Sequence, residues 1–373
     1  MKTVMQIVQH LKPGGIETMA LDLQKFKADN EEVFIVSLEG NQQQAFENWP
    51  KLKDYADQLF FLDKAPGIQL KTLWQLVKLF RKLNVSSVHT HHIGPLIYGG
   101  LAARFAGISS IVHTEHDAWH LQNRKRCFVQ KCILSCVKPT LIADAETVAK
   151  SLKQQLKNIT PQVILNGIDT DRFVPGNQQL ARDKLGLPAG ISLIGTSGRL
   201  ESVKGQSYLI EAISLLPNRF HLAIAGIGSL ADDLKKQAEQ LQISHRIHFL
   251  GLVDEMPNFY QSLDLFCLPS LAEGMPLSPL EAQACGIRAI ATQTGGTHET
   301  ICSKTGFMIE SQSAHAIKHA VLQASIESNP GNPRDFVCQH GDVKKMASCY
   351  AQVRATQSEP SPKTAKGVSY DHL

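Results

Sequence analysis

Two carboxylates with seven residues between them, Glu273 and Glu281, stand in the stretch 268–296, LPSLAEGMPLSPLEAQACGIRAIATQTGG. The first lies just before a run of helical composition and the second within its first turn. A helix N-terminus presents unpaired N–H groups and a partial positive charge, so it seats a phosphate. The two acids flank that seat and could take neutral hydroxyls on either side of it. Pro276 has no N–H to give, so the loop amides must come from Gly274, Met275, Leu277 or Ser278. Structural readings stand beside these: Ser278, Pro279 and Glu281 fit a capping box, and Glu273 fits a solvated loop acid. A second group sits in GRLESVKG, where Arg199 and Lys204 share one loop. A guanidinium grips two oxygens at once and an ammonium is a mobile point charge, a combination suited to a diphosphate. As an isolated pair they read equally as surface charge. Histidines and acids also gather in HTHH (His89, His91, His92) and HTEHD (Glu115, His116, Asp117). No further ligand set with metal spacing accompanies them. Asp169-Thr170-Asp171 spells a metal-binding DxD, but within NGIDTDRF it reads as turn chemistry.

The elements that must position these groups alternate. Short apolar runs at 4–9, 32–38, 59–62, 85–90, 110–114, 140–143 and 163–165 read as strands, and so do 192–195, 220–225, 247–249, 263–268 and 288–292. Helical patterns fall at 16–26, 70–83, 95–105, 124–138, 206–216, 256–261, 279–284, 315–325 and 342–353. The spacing therefore predicts two doubly wound parallel sheets facing a cleft, with ligands outside the carboxyl ends of the strands. The first βα turn, Lys12-Pro13-Gly14-Gly15, has the glycines of a close backbone approach or merely of a tight turn. Gly226-Ile227-Gly228 is equally ambiguous. The first turn is not the dinucleotide fingerprint GxGxxG.

The chain has 373 residues, 43% hydrophobic and 19% charged, with net charge +4, which suits two globular domains. Residues 1–165 hold 20 Lys/Arg against 14 Asp/Glu, leaving 18 against 20 in the remainder. A basic first half favours an anionic surface or substrate there, without the clustered motif of a nucleic-acid protein. The eight cysteines contain no CxxC pair, which argues against zinc and against a disulfide framework. Neither a signal peptide nor a membrane span is recognisable, so a cytoplasmic location is expected. Two basic, helix-like segments, 70–83 and 124–138, could lie on anionic lipid or simply be packed surface helices.

The E-x7-E spacing within EGMPLSPLEAQACG, followed by TGG and preceded by NGIDTDRF and GRLESVKG, resembles the signature of the retaining glycosyltransferases of family 4. The resemblance spans the chain to about residue 353 and implies the α/β GT-B fold. It places an acceptor-binding Rossmann-like domain over 1–168 and a nucleotide-sugar-binding one over 169–335. A helix over 336–355 would cross back to the first domain, before a disordered tail over 356–373. It implies sugar transfer from a nucleotide diphosphate sugar, UDP favoured over GDP, with retention and no metal or other cofactor. By the same resemblance Arg199 and Lys204 hold the phosphates, Glu273 the donor-sugar hydroxyls and Glu281 the ribose. Gly14 and Gly15 face the diphosphate, His116 lines the cleft near the sugar, and His91 and His92 are candidates for acceptor contact. The expected acceptor is a glycan or lipid-linked sugar of surface polysaccharide or lipopolysaccharide assembly, with peripheral contact on an anionic membrane and no nucleic acid. An epimerase of the same fold and a catalytically silent partner in a glycan-assembly complex are the rival readings.

Overall fold

The computed structural model describes residues 1–156, 159–327 and 331–356. The tail expected from 356 on lies outside the described residues, except that Thr356 closes the last helix. Parallel strands need a crossover between them and cover on both faces, and the alternating apolar and helical runs supply both. The strands are β1 (Lys2–Val8), β2 (Glu31–Ser37), β3 (Leu59–Phe61), β4 (Ser87–His91), β5 (Ser110–Glu115), β6 (Thr140–Ala143), β7 (Gln162–Val163), β8 (Ser192–Ser197), β9 (Phe220–Ala225), β10 (Ile247–Gly251), β11 (Leu265–Leu268), β12 (Arg288–Thr292) and β13 (Phe307–Ile309). Among the described residues they form two parallel sheets, ordered β3-β2-β1-β4-β5-β6-β7 and β10-β9-β8-β11-β12-β13.

In each sheet the winding reverses beside the first strand, between β1 and β4 and between β8 and β11. The carboxyl ends of strands at such a switch point form a ligand crevice. At the first stand Gly14, Gly15, His91 and His92; at the second, Arg199, Lys204 and Glu273.

The last helix, Val343–Thr356, lies on the first sheet. Its Met346, Ala347 and Tyr350 pack with Met19, Leu23, Val112 and Ile142. Arg354 closes the contact with a two-pronged buried bridge to Glu31, at 2.8 and 2.6 Å. The chain crosses between the domains twice, side by side, and the Ile168 and Val343 amides bond across that junction to Gly341 and Ile168.

Several elements escape the apolar pattern. The helices Glu146–Gln155 and Ala231–Gln240 bury only three and two of their residues, and β13 has only three. The helix Leu70–Lys82 buries Leu76, Val77 and Phe80 as its periodicity predicts, but Leu70, expected on the same face, is 69% exposed. Beside it Trp74 stacks on Phe105, and both rings are about half exposed. Among the described residues no helix is long and apolar enough to cross a membrane.

Candidate functional site

The second switch point is built from three loops pressed together. Gly226 lies against the Gly198 carbonyl so closely that a Cβ there would come within 1.9 Å of it. The GxG of that turn thus has a packing reason, the seating of the Arg199 loop, whose Leu200 amide bonds to Ile227. The Leu271 amide in turn bonds to the Val203 carbonyl. Lys204 Nζ is thereby brought 2.7 Å from Glu273 Oε1, an oxygen that also accepts from Ser270 Oγ at 2.6 Å. Arg199 is not part of this cluster. Among the described residues its side chain reaches only Glu201, at 3.4 Å, and is 59% exposed.

Glu281 is not a cap. The residue preceding the helix Ser278–Ala284 is Leu277, whose backbone is already helical (φ −80°, ψ −33°), and no side chain caps that end. Ser278 is therefore inside the helix, where its hydroxyl cannot play the expected capping role. Glu281 instead accepts a 2.5 Å bond from the Tyr260 hydroxyl. Tyr260 has its one proton committed there, so Ser197 Oγ, 3.0 Å away, donates to the phenol oxygen. Burial pushes the Glu281 carboxyl above its usual range, and the Tyr260 bond offsets only part of this. The phenol rises as well, first through burial and then through the Glu281 charge.

The first domain closes over this loop. A Cβ on Gly274 would come within 1.7 Å of the His116 carbonyl, so only glycine allows the approach. Gly15 faces Leu277 across the cleft, 3.9 Å from where its Cβ would stand. Asn166 Nδ2 bonds to both Asp144 Oδ2 (3.0 Å) and the Met275 carbonyl (3.1 Å), tying one domain to the other. Glu299 makes the strongest link. Its carboxylate accepts from the Glu146 and Thr147 amides, both at 2.8 Å, and from Thr147 Oγ1 at 2.7 Å. A residue of the second domain thus caps the helix Glu146–Gln155 of the first.

Behind this seam lies a buried wall of histidines. His116 Nδ1 meets Asp144 Oδ2 and its Nε2 meets His91 Nδ1, each at 3.1 Å. His89 bonds to Thr114 at 2.8 Å, and Thr114 to Tyr350 at 3.0 Å. His113 bonds to Glu115, which also accepts from Gln130. Burial would raise Glu115, and the His113 charge and hydrogen bond outweigh it and hold the carboxyl low. His92 has a left-handed backbone (φ 68°), strained for a non-glycine residue, and sets its ring edge-on to His116 at 5.4 Å. Burial, then the His116 charge, bring its pKa down to about 4.

Below the seam Asp22, Lys25, Lys51, Asp169 and Arg172 form a charged floor near Glu281. The first Asp of DTD accepts from the Asp171 and Arg172 amides and from Lys25 at 2.6 Å, and the second pairs with Lys344. Both acids are thus spent on the domain junction. Burial raises Asp22 to about 7, with Lys51 opposing and Glu281 reinforcing.

Of the residues singled out by sequence, Gly15, His116, Gly274, Met275 and Leu277 meet at the seam, Lys204 and Glu273 pair on the second-domain side, and the exposed Arg199 stands apart. Sequence reasoning missed Tyr260, Asp144, Asn166, Ser270 and Glu299. Each acts through a partner on another element, except Ser270, which bonds within its own loop.

The family model described as Glycosyl transferases group 1 matches residues 177–336, and that for Glycosyltransferase Family 4 matches residues 13–172. A UDP-Gal:alpha-D-GlcNAc-diphosphoundecaprenol alpha-1,3-galactosyltransferase of Escherichia coli is 32% identical over 278 residues, 69% of this chain and 70% of that protein. The lipopolysaccharide core biosynthesis mannosyltransferase LpsB of Rhizobium meliloti is 34% identical over 170 residues, 42% of this chain and 48% of its own. The crystal structure of Anabaena HepE in complex with UDP and glucose superposes with TM-score 0.84 at 20% identity, covering 95% of this chain and 100% of that one. WaaG, a glycosyltransferase involved in lipopolysaccharide biosynthesis, gives 0.70 at 16% identity over 94% and 99% of the two chains. At such identities these likenesses speak to the fold alone.

Proposed function

The chain belongs to glycosyltransferase family 4 and has its GT-B fold, and on that premise we propose that it moves a sugar from a nucleotide diphosphate sugar to a glycan or lipid-linked acceptor, with retention and without a metal. The observation that carries this reading is the Lys204–Glu273 pair at the second switch point, on the loop that leads into the Ser278–Ala284 helix. Breaking the C1–O bond leaves negative charge on the β-phosphate and positive character on the sugar ring. Lys204, Arg199 and the amides at and before that helix start would take up the first, one such preorganised donor contributing about 3–4 kcal/mol. Glu273 would hold hydroxyls of the donor sugar and stand near the positive ring. Glu281, steadied by Tyr260, would hold those of the ribose. Gly15 faces this loop from the other domain, and His116 lines the acceptor side.

Bacterial surface polysaccharide or lipopolysaccharide assembly is the pathway class, in keeping with what the named relatives do, with a UDP-sugar favoured over a GDP-sugar. The exposed Leu70, Trp74, Phe105 and Phe128, set among Lys71, Lys78, Arg81, Arg126 and Lys131, would rest on the anionic cytoplasmic face of the membrane.

Calorimetric titration of UDP, GDP and ADP, with EDTA present, into wild type and Arg199→Ala tests the donor site. One nucleotide should bind without metal and bind far more weakly to the variant. If none binds wild type, a catalytically silent partner in glycan assembly becomes the better reading. The anomer of the product, read by proton NMR, tests retention.

A further inference from the structure

The histidine wall contains a chain of hydrogen bonds whose direction is fixed at one end. The Ala20 carbonyl can only accept, so the end of the buried Gln6 amide 2.8 Å from it is the NH2. The Gln6 oxygen therefore faces His91 Nε2, at 3.3 Å, and that nitrogen must carry a hydrogen. His91 is fully buried, and burial followed by the neighbouring imidazoles His89, His116, His92 and His113 drives its pKa well below the usual histidine value. It is neutral, so its Nδ1 is a bare lone pair. That lone pair meets His116 Nε2 at 3.1 Å, which makes Nε2 an N–H donor. On its other side His116 Nδ1 meets Asp144 Oδ2 at 3.1 Å. With one hydrogen already on Nε2, this contact is a hydrogen bond only if a second proton lies between imidazole and carboxylate.

We infer that the His116–Asp144 pair holds a proton of its own, and that Gln6 and His91 are the positioning residues that keep it there. The pair is then neutral as a unit, either imidazolium with carboxylate or imidazole with carboxylic acid. The opposite polarity, a neutral imidazole donating from Nδ1 with Nε2 bare, is the arrangement of a hydrolytic triad and would make His116 a base. The Gln6 end excludes it.

The surroundings agree. Asp144 Oδ1 makes no hydrogen bond among the described residues, a poor setting for an unneutralised carboxylate. Burial pushes the Asp144 carboxyl up, against the bonds from His116 and Asn166 and with the help of Asp117. Among the described residues the other titratable groups near the pair are His89, His91, His92, Asp117 and Tyr350 and, further off, Glu115 and Glu17, which act on His92. A neutral pair also keeps a negative charge off the wall of a cleft that must admit a diphosphate. That use rests on the transferase reading; the protonation state does not.

Long-range nitrogen–proton NMR of the full chain labelled with 15N-histidine reads the ring nitrogens directly, with assignments from His91→Gln and His116→Gln. At neutral pH His91 should show hydrogen on Nε2 only, and His116 should show it on Nε2. A bare Nε2 on His116 overturns the inference. Gln6→Met keeps the volume and removes the polarity. In it the ring-nitrogen signals of His91 and His116 should change at neutral pH, and unchanged signals would refute the positioning role. No nucleotide is needed, so the result is independent of whether one binds. If the Gln6 variant does not fold, the wild-type spectrum still decides the protonation state.

Discussion

The two walls of the cleft are prepared in opposite ways. On the second-domain wall the charged groups satisfy one another: Lys204 holds Glu273, and Arg199 leans on Glu201 in solvent. On the first-domain wall His89, His91 and His113 are fully buried, and His116 is nearly so, each ring hydrogen-bonded to named neighbours. On the proposed function, incoming phosphate would draw Lys204 away from Glu273 and free the carboxylate for a sugar. Nothing comparable has to be exchanged on the histidine wall. One wall is set by the ligand and the other by the fold.

The largest effect should come from breaking the exchangeable wall. Glu273→Gln should lower the rate of sugar transfer by about 10²–10³. UDP affinity should hold or rise, because Lys204 loses its competing partner. Rate assays and calorimetry on the same variant check this, and equal losses in both would mean that Glu273 only positions Lys204.

A smaller effect should come from loosening the seam between the walls. Glu299→Ala removes the cap shared across domains and should cost about 0.5–2 kcal/mol of stability. In a double-mutant cycle with Thr147→Ala, the two losses should fall short of adding. Simple additivity in thermal melts would mean that the seam does not persist in solution.

The smallest concerns the charged floor. Asp22, raised to about 7 chiefly by burial, binds its proton more tightly in the folded chain than in the unfolded one. Its stabilising contribution is full below the unfolded value near 4 and is lost as pH rises through about 7. The difference in melting temperature between wild type and Asp22→Asn should therefore move against wild type as pH rises from about 4 to about 7, and level off above that. A constant difference would place the Asp22 carboxyl at its ordinary value.

The same contrast explains what the sequence could reveal. The placement of Glu273 and Lys204 at strand-end loops, and of Glu281 in the helix that follows, was legible because each lies close to its strand in the chain. His116 was legible only by resemblance. Its partner Asp144 lies 28 residues away and is delivered by the neighbouring strand β6. Tyr260 reaches Glu281 across 21 residues, and Glu299 reaches Thr147 across 152. Such pairs are products of topology and leave no local spacing to read. Short polar helices such as Glu146–Gln155 failed for a different reason: only Val148, Ala149 and Leu152 are buried, too few to mark a period. The exposure of Leu70 breaks the expected stripe, because periodicity says which residues share a face but not what covers it.

The return of the last helix to the first sheet bears on how the molecule comes into being. Glu31 finds its partner in Arg354, and Thr114 its partner in Tyr350, more than two hundred residues downstream. During synthesis, at roughly 5–20 residues per second, the half made first must wait roughly 10–40 seconds for the segment that completes it. The half made second lacks no such piece. The usual order of assembly is therefore inverted: the later-made sheet can close while the earlier one still exposes the face meant for that helix.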